Sequence, residues 1–238
     1  MSASNTQSRA GRGLLITFEG GDGAGKSTHI RILARELESH GEEVVCLREP
    51  GGTYVGERLR SILLNPKNDD IADETELLLY EAARAQLVAT VIEPALARGA
   101  VVVCDRFTDS TVAYQGYGRG LGADLVARTN AFACRGIVPD RTILLVCGEG
   151  SLARATRRGG ADRLEAAGDG FHAVVNEAFL EIARRDPDRV RVVESASRKR
   201  DTARAVFAEL ADLFPWMSEK RYRDGSAFAP RGRRPRKA

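Results

Sequence analysis

The chain has 238 residues, of which 43% are hydrophobic and 29% are charged, a composition that fits one large globular domain or two small ones. Its formal net charge of +3 is unevenly distributed: residues 219–238 hold eight basic residues against two acidic ones, whereas residues 13–218 hold 26 basic against 31 acidic. An acidic body argues against a uniformly basic nucleic-acid-binding domain. No apolar run approaches the roughly 20 residues of a membrane-spanning helix, so we expect no membrane association.

The four cysteines form no C-x-x-C pair and lie near no histidine cluster, which argues against structural zinc and against a disulfide framework. Cys46, Cys104 and Cys147 lie in or beside apolar runs, where we expect buried, reduced thiols. The N-terminus is polar, and the apolar run 14–18 that follows is too short for a signal peptide. We therefore expect a soluble, cytoplasmic protein.

Short β-rich runs alternate with longer helical patterns along the chain. In chain order we predict a strand at 14–18, a helix at 25–40, a strand at 43–47, a helix at 54–64, a long helical stretch at 75–98 that Pro94 bends or breaks, a strand at 100–104, a helix ending near 133, a strand at 141–147, a helix at 170–185, a weaker strand at 189–194 and a helix at 201–214. Strands separated by helices form βαβ units, whose strands are parallel.

The alternation predicts an α/β fold: a doubly wound, five-stranded parallel sheet with helices on both faces. We place this domain at residues 13–216. Residues 1–12 and the basic residues 217–238 are expected to be disordered tails, and the C-terminal one is expected to contact polyanions weakly, with no specific nucleic-acid partner.

A phosphate-binding loop is the strongest local signal. Residues 20–27 match G-x-x-x-x-G-K-[ST] directly after the first predicted strand and at the start of the first helix. Glycines allow backbone N–H groups to point at phosphate oxygens, Lys26 can reach the β- and γ-phosphates, and the Ser27 hydroxyl can ligate Mg²⁺. The segment that we expect to bind the nucleoside triphosphate is Gly20, Gly21, Asp22, Gly23, Ala24, Gly25, Lys26, Ser27 and Thr28.

Two further motifs follow the second and third predicted strands, at the carboxyl edge where α/β proteins bind ligands. The first is R-E-P-G-G-T at residues 48–53, and the second is D-R-F-T-D-S-T-V-A-Y-Q at residues 105–115. Asp105 ends an apolar strand as in a Walker B motif, which predicts a carboxylate near the Mg²⁺. The planar guanidinium of Arg106 is suited to phosphate.

An arginine-rich segment with paired glycines, R-A-T-R-R-G-G-A-D-R-L-E, covers residues 154–165. We interpret it as part of a mobile basic lid, at about 153–165, that closes over the triphosphate and supplies positive charge to the transferring phosphoryl group.

Taken in order, F-E-G-G-D-G-A-G-K-S-T, R-E-P-G-G-T, L-L-Y-E-A-A-R-A-Q, D-R-F-T-D-S-T-V-A-Y-Q-G and R-R-G-G-A-D-R-L-E closely resemble the motifs of bacterial thymidylate kinases, from about residue 14 to 214. The resemblance implies a P-loop nucleoside monophosphate kinase that transfers the γ-phosphate of ATP to dTMP, in dTTP biosynthesis. It further implies Mg²⁺ bound by Ser27 and Asp105, and a homodimer.

The resemblance also assigns the sugar and phosphate of dTMP. Asp22 corresponds to an acidic residue that contacts the sugar 3′-hydroxyl, and Arg48 and Arg106 correspond to arginines that hold the acceptor phosphate. Tyr114 corresponds to a tyrosine that crowds the sugar 2′ position and so favours deoxyribose.

A second set is assigned to the base. Tyr80 takes the place of an aromatic residue, commonly Phe, that stacks on thymine, and Arg84 takes that of an arginine contacting the base. Because positions i and i+4 share a helix face, one ring and one donor can address the same base. The other polar positions on the base side are Ser110, Thr111 and Gln115.

Within the lid, Asp162 and Glu165 match carboxylates near the nucleotide. Gly23 stands where some family members carry a basic residue, so we expect the catalytic arginine to come from the lid. The lid candidates are Arg154, Arg157, Arg158 and Arg163. The predicted catalytic set is Lys26, Arg106, Arg154 and Arg158.

Three alternatives remain open at this point. Another nucleotide or deoxynucleoside kinase would share the core and differ in the acceptor pocket. A P-loop ATPase or binding module would use the basic C-terminus on nucleic acid or on a protein partner. A noncatalytic protein with a vestigial loop fits least well, because Lys26, Ser27, Asp105 and Arg106 are all present.

Overall fold

A computed structural model of the protein describes residues 12–147, 163–164 and 167–228. Its sheet consists of β1 (Leu15–Glu19), β2 (Val44–Arg48), β3 (Val101–Asp105), β4 (Arg141–Cys147) and β5 (Val190–Ser195), all parallel and in the order β2-β3-β1-β4-β5. The predicted α/β architecture with a five-stranded parallel sheet is confirmed.

Helices follow every strand of the described chain. They are α1 (Lys26–Ser39), α2 (Tyr54–Leu63), α3 (Asp73–Leu87), α4 (Glu93–Ala97), α5 (Thr108–Thr111), α6 (Ala123–Ala133), α7 (Asp169–Arg185), α8 (Lys199–Ala208) and α9 (Lys220–Arg223), with π-helical turns at Val88–Ile92 and Val112–Gly118 and 3₁₀ turns at Pro215–Ser218 and Ser226–Phe228. None of the helices in these ranges is long and apolar enough to cross a membrane.

Alternation along β1 places helices on both faces of the sheet. Ile16 and Phe18 pack in one core cluster with Leu33 of α1, whereas Leu15 packs in a second cluster with Leu87 of α3. All five side chains are fully buried. Because successive strand residues point to opposite faces, a run that is apolar throughout is covered on both sides.

Strand register brings the motif-bearing loops together. Asp105 at the end of β3 lies opposite Phe18 of β1 on one side and Arg48 of β2 on the other. The segments that follow these three strands therefore leave the sheet at the same edge, as the sequence predicts for a parallel sheet.

The expectation of buried thiols is wrong for Cys46. Cys104 lies in the central strand β3 and is buried, whereas Cys46 is exposed. The reason is that β2 forms the edge of the sheet and is only partly covered. The side chain of Cys147 lies outside the described part of the structure.

The helical stretch 75–98 is divided into α3, a π-helical turn and α4. The irregular turn, Val88–Ile92, precedes Pro94, which lies in the first turn of α4. A proline has no N–H to donate to the carbonyl four residues earlier, and its ring crowds that carbonyl, so the turn before it widens.

The C-terminal tail that we placed from residue 217 onwards begins too early. Met217 and Tyr222 are 2% and 1% exposed and belong to the core cluster that contains α1. The Tyr222 hydroxyl donates to Glu36 Oε2 at 3.1 Å, and Trp216 stacks on His40 with 3.7 Å between ring centroids. Aromatic side chains spaced through a basic segment thus extend the folded domain to at least residue 228, which a count of charges does not reveal.

Candidate active site

The loop between β1 and α1 has the backbone that its glycines predict. Gly20 has a φ of 119°, and a Cβ at this position would lie 2.1 Å from the carbonyl oxygen of Leu145. Gly25, with a φ of 98°, turns the chain into α1, which begins at Lys26. The N–H groups at this helix terminus have no helical partners and attract anions.

The side chain of Lys26 folds back over the loop. Its Nζ donates to the carbonyl oxygens of Gly20 at 2.8 Å and Gly21 at 2.9 Å, and it lies 3.9 Å from Asp22 Oδ1. Burial, together with the nearby Arg106, lowers the pKa of Lys26 to about 8, although the carboxylate of Asp22 opposes the shift. A phosphate group at this loop would stabilise the ammonium form.

Ser27 and Asp105 bring oxygen atoms together at the sheet edge. The Ser27 hydroxyl donates to Asp105 Oδ2 at 2.9 Å. The described residues contain no cluster of three or more His, Cys, Asp or Glu side chains that could hold a metal. Mg²⁺ prefers oxygen ligands and keeps several waters, with one or two protein groups and the substrate phosphates completing its shell, so this pair fits Mg²⁺ delivered with a nucleotide.

Arg106 lies between the phosphate loop and the end of β3. Its Nη2 donates to Asp22 Oδ1 at 2.8 Å, its Nη1 donates to Ser110 Oγ at 3.2 Å, and its guanidinium lies 5.3 Å from the ring centroid of Tyr114. Its φ is 69°, a left-handed conformation that costs an L residue about 1–3 kcal/mol. Strain held in place by several contacts is typical of a functional position.

Glu19, which sequence analysis did not single out, holds the loop that carries Arg106. Its carboxylate accepts hydrogen bonds from the Phe107 N–H at 2.8 Å, the Ser110 N–H at 3.2 Å and the Ser110 hydroxyl at 2.6 Å. Burial raises the pKa of Glu19 to about 7, and the charge of Asp109 adds to the shift. The available signal was an acidic residue at the end of a mostly apolar strand.

A cavity of about 180 Å³ opens beside Arg106 and the phosphate loop. Eight of the predicted acceptor-site residues border it: Asp22, Tyr80, Arg84, Arg106, Ser110, Thr111, Tyr114 and Gln115. The other residues around it are Glu49, Pro50, Arg60, Leu64, Phe107 and Leu164. Aromatic walls with a few convergent polar groups are typical of a small-molecule site.

Arg84 forms the floor of this cavity and is 2% exposed. Its five N–H groups are directed to Glu49, Glu81, Asn130 Oδ1, the Phe107 carbonyl and Thr111 Oγ1, at 2.7 to 3.2 Å. To donate a hydrogen bond to a bound molecule, Arg84 would have to give up one of these five hydrogen bonds. Burial raises the pKa of Glu49, while the adjacent Arg84 opposes the shift.

Comparison with known proteins agrees with this arrangement. A family model described as thymidylate kinase matches residues 18–206. The chain is 48% identical over 209 residues to the thymidylate kinase of Pseudomonas putida (strain GB-1), and this alignment covers 87% of this chain and 98% of that protein. It is 50% identical over 187 residues to that of Pelotomaculum thermopropionicum, covering 78% of this chain and 87% of that protein. The chain belongs to the thymidylate kinase family.

A solved structure supports the same assignment. The crystal structure of thymidylate kinase from Ehrlichia chaffeensis matches with a TM-score of 0.68 at 32% sequence identity, covering 85% of this chain and 98% of that one. The likeness therefore extends through the fold that carries the phosphate loop and the cavity.

Arg48, which was predicted to hold the acceptor phosphate, does not border the cavity of this thymidylate kinase family member. Arg48 is half-exposed, and its Nη2 donates to both carboxylate oxygens of Glu57 at 3.0 and 3.1 Å. Arg60 of α2 borders the cavity instead, and its Nη1 donates to the Pro50 carbonyl at 2.7 Å. Arg48 is the last residue of the edge strand β2 and is exposed, whereas Arg60 belongs to α2, which follows the loop at Pro50 that borders the cavity.

The position of Arg60 at the cavity could not be predicted from the sequence, because α2 carries two arginines, Arg58 and Arg60, and no motif distinguishes them. Arg163, considered there as a catalytic lid arginine, is bound into the body of the domain: it pairs with Glu76, and its Nε donates to the Leu63 carbonyl at 2.9 Å. The remaining predicted lid residues lie outside the described part of the structure: Arg154, Arg157, Arg158, Asp162 and Glu165.

Proposed function

We propose how this chain carries out the reaction of its family, the transfer of the γ-phosphoryl group of ATP to dTMP to give dTDP and ADP. The main support for this proposal is the position of Arg106, which donates a hydrogen bond to Asp22 of the phosphate loop and also borders the adjacent cavity. One cation between two anion sites favours transfer between bound phosphates.

On the donor side, residues 20–28 bind the phosphates of ATP, and Lys26 exchanges the carbonyls of Gly20 and Gly21 for phosphate oxygens. Ser27 and Asp105 are the residues that would hold Mg²⁺, directly or through water. When bound, the metal supplies neutralisation of the charge on the β- and γ-phosphates.

On the acceptor side, Arg106 and Arg60 hold the 5′-phosphate of dTMP, because both arginines border the cavity. Asp22 accepts the sugar 3′-hydroxyl. It remains ionised, since Arg106 and Lys26 lower its pKa against the opposing effect of burial. Tyr114 closes the space next to the sugar 2′ position.

The thymine ring lies deeper, between the aromatic and polar groups that surround the floor. Tyr80 stacks on it, Arg84 and Thr111 face its polar edge, and Gln115 recognises the edge from the π-helical turn Val112–Gly118. Ser110 acts through Arg106, because its hydroxyl accepts from that arginine.

No general base is required, because the acceptor phosphate oxygen is already a nucleophilic anion. It forms a bond to the γ-phosphorus as the bond from that phosphorus to the β–γ bridging oxygen breaks, and ADP leaves with the electron pair. Lys26 and Arg106 align the two anions and stabilise the charge that spreads over the transferring group. On the basis of family resemblance, we assign Arg154 and Arg158 as further cations and Asp162 and Glu165 as nucleotide contacts.

The family resemblance also supports a homodimer, and exposed apolar side chains on the contacting helices α3 and α6 are consistent with it. Leu78 is 63% exposed and Phe132 is 88% exposed, and Leu125 lies two helical turns before Phe132. Sedimentation velocity on the wild type and on the double variant Leu78→Asp/Phe132→Asp tests this: a monomer in both cases contradicts the proposal.

A cytoplasmic location is part of the same proposal and is supported by the free thiols of Cys46, Cys104 and Cys134.

The reaction itself is tested by the stoichiometry of product formation with ATP, Mg²⁺ and dTMP. We expect one dTDP for each ADP, and at least about a hundredfold lower kcat for Lys26→Ala. Lys67→Ala, in an exposed loop, serves as the control and retains activity. ADP released without dTDP, or released faster when polynucleotide is added, would favour the ATPase alternative.

A further inference from the structure

The amide of Gln115 is held by a carboxylate outside the cavity. Gln115 borders the cavity and is 1% exposed, and its Nε2 donates to Glu76 Oε1 at 2.8 Å. Its carbonyl oxygen Oε1 has no donor among the residues that the structure describes. The two ends of this amide therefore face different surroundings.

Glu76 can only accept. It is fully buried on α3, where Arg119 donates to both of its oxygens at 3.0 and 3.2 Å and Arg163 donates to Oε2. Burial alone would favour the neutral acid, but the hydrogen bonds from Arg119, Gln115 and Arg163 outweigh it and lower the pKa of Glu76. An ionised carboxylate has four acceptor sites and no donor.

This ionised state determines which way the Gln115 amide points. With the amide reversed, its oxygen would face the carboxylate at hydrogen-bond distance, placing two acceptors together in a buried site, which is unfavourable. Gln115 is thus fixed with its NH₂ group toward Glu76 and its oxygen toward the cavity.

We propose that Glu76 is a positioning residue that selects 4-oxo over 4-amino pyrimidines by fixing the orientation of the Gln115 amide. The proposal rests on the base site proposed above. A thymine or uracil ring carries an N3–H that the amide oxygen accepts, whereas cytosine presents a bare N3 lone pair that faces the same oxygen and is repelled. The 5-methyl group plays no part in this choice.

Replacing Glu76 with Gln reverses the preferred orientation of the Gln115 side-chain amide. Two arginine donors, one from Arg119 and one from Arg163, converge on the position of Oε2, whereas a single Arg119 donor reaches the position of Oε1. The new carbonyl oxygen therefore takes the Oε2 position, and the new NH₂ group takes the Oε1 position and donates toward residue 115. Gln115 then turns its oxygen to Gln at position 76 and its NH₂ to the cavity, where it can donate to N3 of cytosine.

The test compares kcat/KM for dTMP, dUMP and dCMP in the wild type and in Glu76→Gln. We expect the dTMP:dCMP ratio to fall at least about tenfold while the dTMP:dUMP ratio stays within about twofold, because dUMP keeps the N3–H and lacks only the methyl group. Arg119→Gln removes both hydrogen bonds from Arg119 to Glu76 without reversing the Gln115 amide, and both ratios should remain at their wild-type values.

An unchanged dTMP:dCMP ratio in Glu76→Gln, or a parallel fall of both ratios, would overturn the proposal, since a loosened pocket lowers both. If Glu76→Gln does not fold, the charge-balanced double variant Glu76→Gln/Arg119→Gln is compared with Arg119→Gln alone, with the same outcomes. Absence of dTMP phosphorylation in the wild type would instead contradict the function itself.

Discussion

Tyr114 links the residues that we assign to phosphate and sugar. Its ring lies beneath the guanidinium of Arg106, with 5.3 Å from the guanidinium carbon to the ring centroid, and contacts the rings of Phe171 and Phe179 of α7 at centroid distances of 6.0 and 6.2 Å. Packing on three sides fixes the ring, so the space beside it has a definite width. A rigid wall of this kind can exclude one hydroxyl group.

Tyr114→Ala should admit ribonucleotides. We expect the ratio of kcat/KM for dTMP to that for ribothymidine monophosphate to fall at least about tenfold, because removal of the ring opens the space at the sugar 2′ position. Tyr114→Phe keeps the ring and should retain the wild-type ratio. The same ratio in Tyr114→Ala and wild type would count against this role.

Among single residues, those whose position a short motif fixes could be placed from the sequence. Lys26, Asp105 and Arg106 could be predicted because a strand end or a glycine loop fixes their positions within a few residues. Arg60 could not, because its approach to the cavity depends on how α2 packs after the loop at Pro50. Arg48 is the opposite case, because it belongs to a recognised motif but lies exposed at the end of the edge strand β2.

At the scale of elements, one face of α3 carries much of the site. Glu76, Tyr80 and Arg84 follow one another at intervals of four residues and are all buried, which places them on one side of the helix. The family resemblance singled out Tyr80 and Arg84, and their spacing is consistent with a shared helix face. It gave no indication of Glu76, whose importance depends on partners from two other segments, Arg119 and Arg163.

The junction between β1 and the loop after β3 should respond to pH through Glu19. Its pKa rises in the folded protein from an ordinary 4.5 to about 7, chiefly through burial and then through Asp109, while Arg106 and Ser110 oppose the shift. The folded state therefore binds a proton that the unfolded state has lost, so this group's contribution to stability is complete below pH 4.5 and is lost as the pH rises through 7.

Glu19→Gln removes this dependence. The free energy of unfolding of Glu19→Gln minus that of the wild type should increase, in favour of the variant, between pH 5 and pH 8 in urea titrations. Contributions from other groups cancel in this difference. Glu74→Gln, on the exposed side of α3, should show a constant difference over the same range. A difference for Glu19→Gln that is flat, or that declines with pH, would contradict the assignment.

At the scale of the whole molecule, the domain is completed by the segment 215–228 on α1. Tyr222 stacks on Phe207 of α8 with 5.3 Å between centroids, while its hydroxyl reaches Glu36 of α1. The sequence predicted a disordered tail here because eight of the last twenty residues are basic. Charge and composition do not indicate that the few aromatic residues of this segment pack on the domain. The order of the five strands and of the longer helices in the described chain was predictable, since their hydrophobic periodicity is visible in the sequence.

Tyr222→Ala should destabilise the protein by about 3–5 kcal/mol, through loss of a buried aromatic ring. Urea unfolding measures the effect. Tyr54→Ala, at a side chain that is 76% exposed, serves as the control and should change stability by no more than about 0.5 kcal/mol. If the two variants unfold at the same urea concentration, residues 217–228 do not contribute to the folded domain.

In the proposed reaction, the cavity beside Arg106 accepts dTMP and the phosphate loop delivers the phosphoryl group to it. The most direct measurement is kcat/KM with ATP and Mg²⁺ for a panel of acceptors: dTMP, dUMP, dCMP, ribothymidine monophosphate, AMP, GMP and thymidine. We expect the highest value for dTMP, with dUMP lower by about 10–200-fold because it lacks a single methyl group. An equal or higher value for any other acceptor in the panel would contradict it.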